Sequence, residues 1–278
     1  MKIGIVGMGI MGSGIAQLSA TSGHEVVATD VSKAFYDRGM VSIGKSLDKL
    51  IEKKLVNQDK GKILARIVYT DDVRAFAGCE IVIEAVVENY KDKVEFFRKI
   101  EPIVAPNAII ASNTSSISIT SLGASLKDPS RFLGIHFFNP VALMNLIELV
   151  KGVKTSNEAV GRATEFAKSV GKEYVVVNDS PGFVTTRVIA LLVNEGAFEY
   201  SEGLASREDI DKALKLGGNF PMGPLTLGDL IGLDTVVNIM DVMYDSFKDP
   251  KFRAAPILRK MVEAGKLGRK SGEGFYKY

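Results

Sequence analysis

The sequence predicts an α/β domain built on a doubly wound, mostly parallel sheet, followed by an all-α domain. Three observations predict it. Short apolar runs alternate with helix-patterned segments over the first 180 residues, as in a sheet covered by helices on both faces. The first run ends in a glycine-rich turn, Gly7-Met8-Gly9-Ile10-Met11-Gly12. After the turn-forming Asp179-Ser180-Pro181-Gly182 the strand signal disappears. A boundary there divides the 278 residues into a sheet domain over 1–180 and a helical domain over 181–278.

Residues 2–6 form an apolar run that breaks at Gly7, which suits a buried parallel strand. A helix pattern covers 10–22, with Gly23 where a helix terminator belongs. A second strand over 25–29 closes on Asp30 and completes a βαβ unit. The next helix, 33–54, is long and amphipathic, with Leu47, Leu50, Ile51 and Leu55 at helical spacing. Further strands are expected over 66–69, 80–87, 108–111, 131–137, 146–150 and 174–177, with a helix over 91–100. Beyond the boundary an apolar helix is expected over 183–200. Another starts at Ser206, where Asp209 three residues on resembles a capping box. Gly217-Gly218 and Pro221-Met222-Gly223-Pro224 separate it from two more helical stretches, with a long apolar segment over 225–237.

The 46% hydrophobic and 24% charged residues are those of an ordinary soluble globular protein. A net charge of +2, the remainder of 35 basic and 33 acidic residues, gives no sign of a nucleic-acid partner. One cysteine, Cys79, excludes an intrachain disulfide and a cysteine-based metal cluster, and its setting suggests a buried, inert thiol. No metal is expected. No basic-then-apolar leader precedes the first strand and no apolar stretch reaches membrane-span length, so residence in the cytoplasm is expected.

The glycine turn is a dinucleotide signature in its proper context. Gly7 permits the tight turn, Gly9 lets the backbone approach a pyrophosphate, and Gly12 lets helix and strand pack closely. The helix that begins at Ile10 and Met11 offers unpaired N–H groups to the phosphates. Asp30 ends the next strand eighteen residues past Gly12, where a carboxylate accepts from ribose hydroxyls and repels a 2′-phosphate. No arginine follows it closely, which favours NAD over NADP. Alternatively, Asp30 caps the following helix. The candidate base is His136, one of only two histidines, with Glu148 twelve residues later. Histidine both takes and gives a proton near neutrality, and a carboxylate behind it fixes its tautomer and stabilises the imidazolium. A core histidine satisfied by a backbone carbonyl is the bland alternative.

Ala111-Ser112-Asn113-Thr114-Ser115-Ser116, His136-Phe137-Phe138-Asn139-Pro140 and Asp179-Ser180-Pro181-Gly182-Phe183 resemble the 3-hydroxyacyl-CoA dehydrogenase family. Pro221-Met222-Gly223-Pro224 and the segment from Gly268 to Tyr276 match it too, so the resemblance runs the length of the chain. In length and wording it is closest to the bacterial, 3-hydroxybutyryl-CoA branch. The resemblance implies a Rossmann-type NAD domain and reversible oxidation of an L-3-hydroxyacyl-CoA, short in chain, to the 3-ketoacyl-CoA. It makes His136 the general base, Glu148 its carboxylate partner and Ser115 the hydrogen-bond donor to the C3 oxygen. It assigns cofactor contacts to Glu88, Lys93, Ser115, Asn139 and Lys270, and CoA contacts to Ser46, Lys53 and Lys93. Lys45, Lys49, Lys53 and Lys54 form a basic cluster suited to a CoA phosphate, though such clusters are commonly solvated helix faces, as Lys91, Lys93, Arg98 and Lys99 would also be. Where the family carries asparagine, this chain has Thr186, whose hydroxyl is shorter and lacks the amide's second donor. The resemblance further implies substrate in a cleft between the domains, and a homodimer formed through the helical one. Two other functions fit the same fold. One is an NAD-dependent dehydrogenase of a non-CoA 3-hydroxy acid or sugar acid such as L-gulonate; the other is a non-catalytic NAD-binding structural or regulatory protein.

Overall fold

The computed structural model describes residues 1–278, which fall into two compact units, Met1–Asp179 and Ser180–Tyr278. In the first unit β1 (Lys2–Val6), α1 (Ile10–Thr21) and β2 (Glu25–Thr29) form the expected βαβ unit. Gly23, at φ +89°, follows the end of α1. There follow α2 (Lys33–Glu52), α3 (Lys60–Leu64), β3 (Ile67–Tyr69), β4 (Ile81–Glu84), α4 (Tyr90–Ile100), β5 (Ile109–Ser112) and α5 (Ile119–Gly123). The unit closes with β6 (Phe132–Phe137), β7 (Leu146–Lys151), α6 (Asn157–Ser169) and β8 (Glu173–Asn178).

The eight strands form one sheet in the order β3-β2-β1-β4-β5-β6-β7-β8. Every pairing is parallel except β6 with β7. The expectation of a mostly parallel, doubly wound sheet therefore holds. Central strands are buried on both faces, which is why β1, β4 and β5 read as continuous apolar runs. Chain direction across the sheet reverses between β1 and β4, and such a switch point opens a crevice at the carboxyl ends of the strands.

Three sequence expectations need correction. The strand expected over 80–87 stops at Glu84, because residues 85–89 leave the sheet as a loop. A helix over Asn157–Ser169 was not anticipated, although Ser156 caps it by accepting from the Ala159 N–H and Ala159, Ala163, Phe166 and Ala167 make its buried face. The apolar segment 225–237 is not one helix. Gly232, at φ +100°, breaks it in two, so three helices follow the Pro221–Pro224 turn instead of two.

The second unit is all helical: α7 (Thr185–Ser201), α8 (Arg207–Gly217), α9 (Pro224–Ile231), α10 (Leu233–Phe247) and α11 (Pro256–Glu263). Helix α7 starts two residues later than expected because Gly182 and Phe183 both take positive φ, 75° and 48°. Val193, Ala197, Leu225, Leu233, Val236, Met240 and Phe252 form the centre of its core. Arg187 is absorbed structurally, its guanidinium lying 4.5 Å from the ring centre of Phe247 and 5.4 Å from that of Phe252. Two buried aspartates organise the rest. Asp211 accepts from the Leu225 and Thr226 N–H groups at the start of α9, and from the Tyr276 hydroxyl. Asp229 accepts from the N–H groups of Phe275 and Tyr276, at 2.9 Å each, and from the Tyr278 hydroxyl.

Candidate active site

The glycine turn leaves β1 at the switch point. Gly7 sits at φ +89°, a conformation that a side chain would strain. A Cβ at residue 12 would overlap the Gly7 carbonyl oxygen, so α1 can pack this close only through glycine. Nothing of the chain lies within 4 Å of where a Cβ on Gly9 would be, and no side chain caps α1 at that residue. Its first N–H groups are thus presented across an open approach. Ile10 is exposed and Met11 half-buried beside it. Asp30, at the carboxyl end of β2, accepts from the N–H groups of Met8 and Val31, at 2.6 Å each. It caps no helix, since α2 begins after Ser32. This turn, with a carboxylate anchored beside it, fits the pyrophosphate and adenosine ribose of a dinucleotide.

Strand register assembles the rest of the site. Glu84 pairs with Ser112 and Ser112 with Gly134, so the pleat puts all three, and His136 two residues on, on one face of the sheet. His136 stands directly opposite Glu148 across the antiparallel pair. Their side chains therefore meet, with Nδ1 of His136 at 2.8 Å from a Glu148 carboxylate oxygen. Both residues are buried, and the Phe138 ring lies 4.6 Å from the imidazole centre to centre. A carboxylate can only accept, so Nδ1 carries the proton that is donated to Glu148.

A second buried ionic group sits on that face at the ends of β4 and β5. Lys93, on α4, has its ammonium at 2.6 Å from Glu84 and 3.1 Å from Glu88. Ser112 donates to Glu84 at 2.7 Å, and the Val86 N–H does so at 2.8 Å. Glu88 also accepts from the hydroxyls of Thr114 and, at 3.0 Å, Ser116. Partial burial pushes the Glu88 carboxyl up, but the Lys93 ammonium and these hydrogen bonds outweigh it and hold the group below the usual carboxylate range. Ser115, half-buried, lies between two residues anchored on Glu88, so its loop is fixed from both sides. Lys93 is not a solvated face residue, because it is 1% exposed and engaged by two carboxylates.

The other candidates are placed as follows. Ser46, half-buried, lies on α2 and Lys53, exposed, just past it, with Lys45, Lys49 and Lys54 exposed around them. Asn139 is exposed two residues past β6. Thr186 sits in the first turn of α7. Lys270, in a short turn of the second unit, is 2.5 Å from Asp234. Sequence reasoning missed Glu84, Ser112, Asn113 and Thr114 as parts of the site. The one signal for Glu84 is an acid ending an otherwise fully apolar strand.

A family model described as 3-hydroxyacyl-CoA dehydrogenase, NAD binding domain, matches residues 2–180, and one described as the C-terminal domain of the same enzymes matches residues 182–278. A probable 3-hydroxybutyryl-CoA dehydrogenase of Deinococcus radiodurans is 50% identical over the whole of both chains. A 3-hydroxybutyryl-CoA dehydrogenase of Clostridioides difficile is 43% identical over all of this chain and 99% of that one. The crystal structure of (S)-3-hydroxybutyryl-CoA dehydrogenase PaaH1 from Ralstonia eutropha superposes with a TM-score of 0.95 at 47% identity, covering 100% of this chain and 98% of the other. The chain belongs to the 3-hydroxyacyl-CoA dehydrogenase family, and its N-terminal unit is that family's NAD-binding domain.

Proposed function

We propose that this protein catalyses the reversible NAD-dependent oxidation of an L-3-hydroxyacyl-CoA, chiefly 3-hydroxybutyryl-CoA, to the 3-ketoacyl-CoA. The observation that carries this reading is the buried His136–Glu148 pair at 2.8 Å. Nδ1–H donates to Glu148, so Nε2 takes the C3 hydroxyl proton while Glu148 stabilises the imidazolium that forms. When bound, NAD accepts the hydride that leaves C3. Ser115 donates a hydrogen bond to the C3 oxygen, and in the reverse direction the imidazolium returns its proton there. Gly7, Gly9, Ile10, Met11, Gly12 and Asp30 hold the dinucleotide, with Glu88, Lys93, Asn139 and Lys270 as further contacts. Ser46 and Lys53 serve the CoA moiety; Thr186 holds substrate by a single hydroxyl.

Two further readings accompany this one. Val188, Leu204, Leu216 and Leu230 expose apolar side chains on the helical unit, which supports a homodimer formed through that unit. Cys79 is buried and its thiol is pushed up to about 11 by that burial, which suits the reducing cytoplasm.

The test is NADH oxidation with acetoacetyl-CoA against free acetoacetate. His136→Gln and Glu148→Gln are each expected to lower turnover on the order of 10²–10⁴-fold while leaving NAD binding within about twofold. Full turnover in His136→Gln would refute the base, and equal rates with the free acid would refute the CoA substrate.

A further inference from the structure

Strand β6 outruns its neighbour. β5 pairs with it only through Ile110 with Phe132, Ala111 with Leu133 and Ser112 with Gly134. On the other side β7 continues the pairing through Ile135 with Leu149, His136 with Glu148 and Phe137 with Ile147. The stretch carrying His136 therefore has a main-chain ladder on one side only. On the β5 side the N–H of Phe137 still needs an acceptor, since Phe137 is buried and orphaned buried amides are rare. Asn113, the first residue past β5 and itself buried, supplies it. Its side-chain Oδ1 accepts from that N–H at 2.9 Å. Its own N–H donates to the Glu84 carbonyl at 2.8 Å. One residue thus ties together the carboxyl ends of β4, β5 and β6, at the residue that follows His136.

Resting on the reading of His136 as the base, we propose that Asn113 is a positioning residue. Its amide oxygen continues the β5 ladder beyond the strand's end and fixes the backbone from which His136 projects. Without that acceptor, the main chain at the end of β6 is paired with β7 alone, so the imidazole, still bonded to Glu148, can shift with its backbone. Small displacements matter at this point, because misplacement by about 1 Å can cost about a hundredfold in rate.

The chain has two histidines, so a histidine-selective nitrogen-15 spectrum of the full-length protein contains two imidazoles. His24, before β2 at the opposite end of the strands, serves as the internal control. In Asn113→Ser, whose side chain is too short to reach, we expect kcat with acetoacetyl-CoA to fall about 10- to 100-fold, with KM for NADH within about threefold. The ring signals of His136, but not those of His24, should shift or broaden. Asn113→Asp keeps an acceptor at the same reach and should recover kcat towards the parent value relative to Asn113→Ser. Should Asn113→Ser not fold, Asn113→Gln, one methylene too long, is read in the same way. The proposal is overturned if the His136 signals are unmoved in the variant that lacks the acceptor, if kcat per folded molecule stays within about twofold, or if the loss lies in KM alone. The ring signals need no substrate, so this failure is distinct from full turnover in His136→Gln, which would refute the base instead.

Discussion

At Lys93 an ammonium with almost no contact with water lies within 3.1 Å of two carboxylates. Lys93→Met would leave Glu84 charged and uncompensated in the interior, which should cost about 3–5 kcal/mol of unfolding free energy. Glu84→Gln combined with Lys93→Met removes both charges and should recover most of that loss, measured by denaturant unfolding. His24 sets a pH dependence. Burial and then the N-terminal ammonium hold its imidazole below the ordinary 6.5. A base depressed on folding means that the unfolded chain binds more protons, so stability is full above pH 6.5 and falls as acid carries the solution down towards the folded value. Denaturation midpoints between pH 7 and 5 should fall less steeply in His24→Gln. The proximity of His136 and Glu148 was legible because the two motifs align with a known family. Glu84 and Asn113 were not, because what they touch is set by strand register and by where β5 stops. A linear reading of periodicity contains neither quantity.

Among elements, α1 depends on the closeness that Gly12 permits. Gly12→Ala forces a methyl group into the Gly7 carbonyl and must move backbone, so we expect about 1–3 kcal/mol of destabilisation or more and a larger loss in NAD affinity than in stability, by calorimetric titration. Elements that bury a continuous apolar run, such as β1, β4 and β5, were legible in the sequence because no other environment suits them. The misread ones have causes of their own. Helix α6 buries a face made mostly of alanines, which carry a weak periodic signal. The break at Gly232 depends on one residue's backbone sign, and apolar composition on either side conceals it.

For the molecule as a whole, the exposed apolar side chains of the helical unit give a prediction of assembly. At micromolar concentration the protein should sediment at twice the chain mass, and a monomer would refute the dimer. Within that unit, Asp211 and Asp229 both accept from donors supplied by residues 275–278. The helices bearing these aspartates leave the ribosome first, with two carboxylates still facing the interior they are about to enter. Their native packing must therefore wait until Phe275 and Tyr276 emerge. A nascent chain arrested before that point should stay sensitive to protease in the helical unit, so that the emergence of Phe275 and Tyr276 acts as a late folding step.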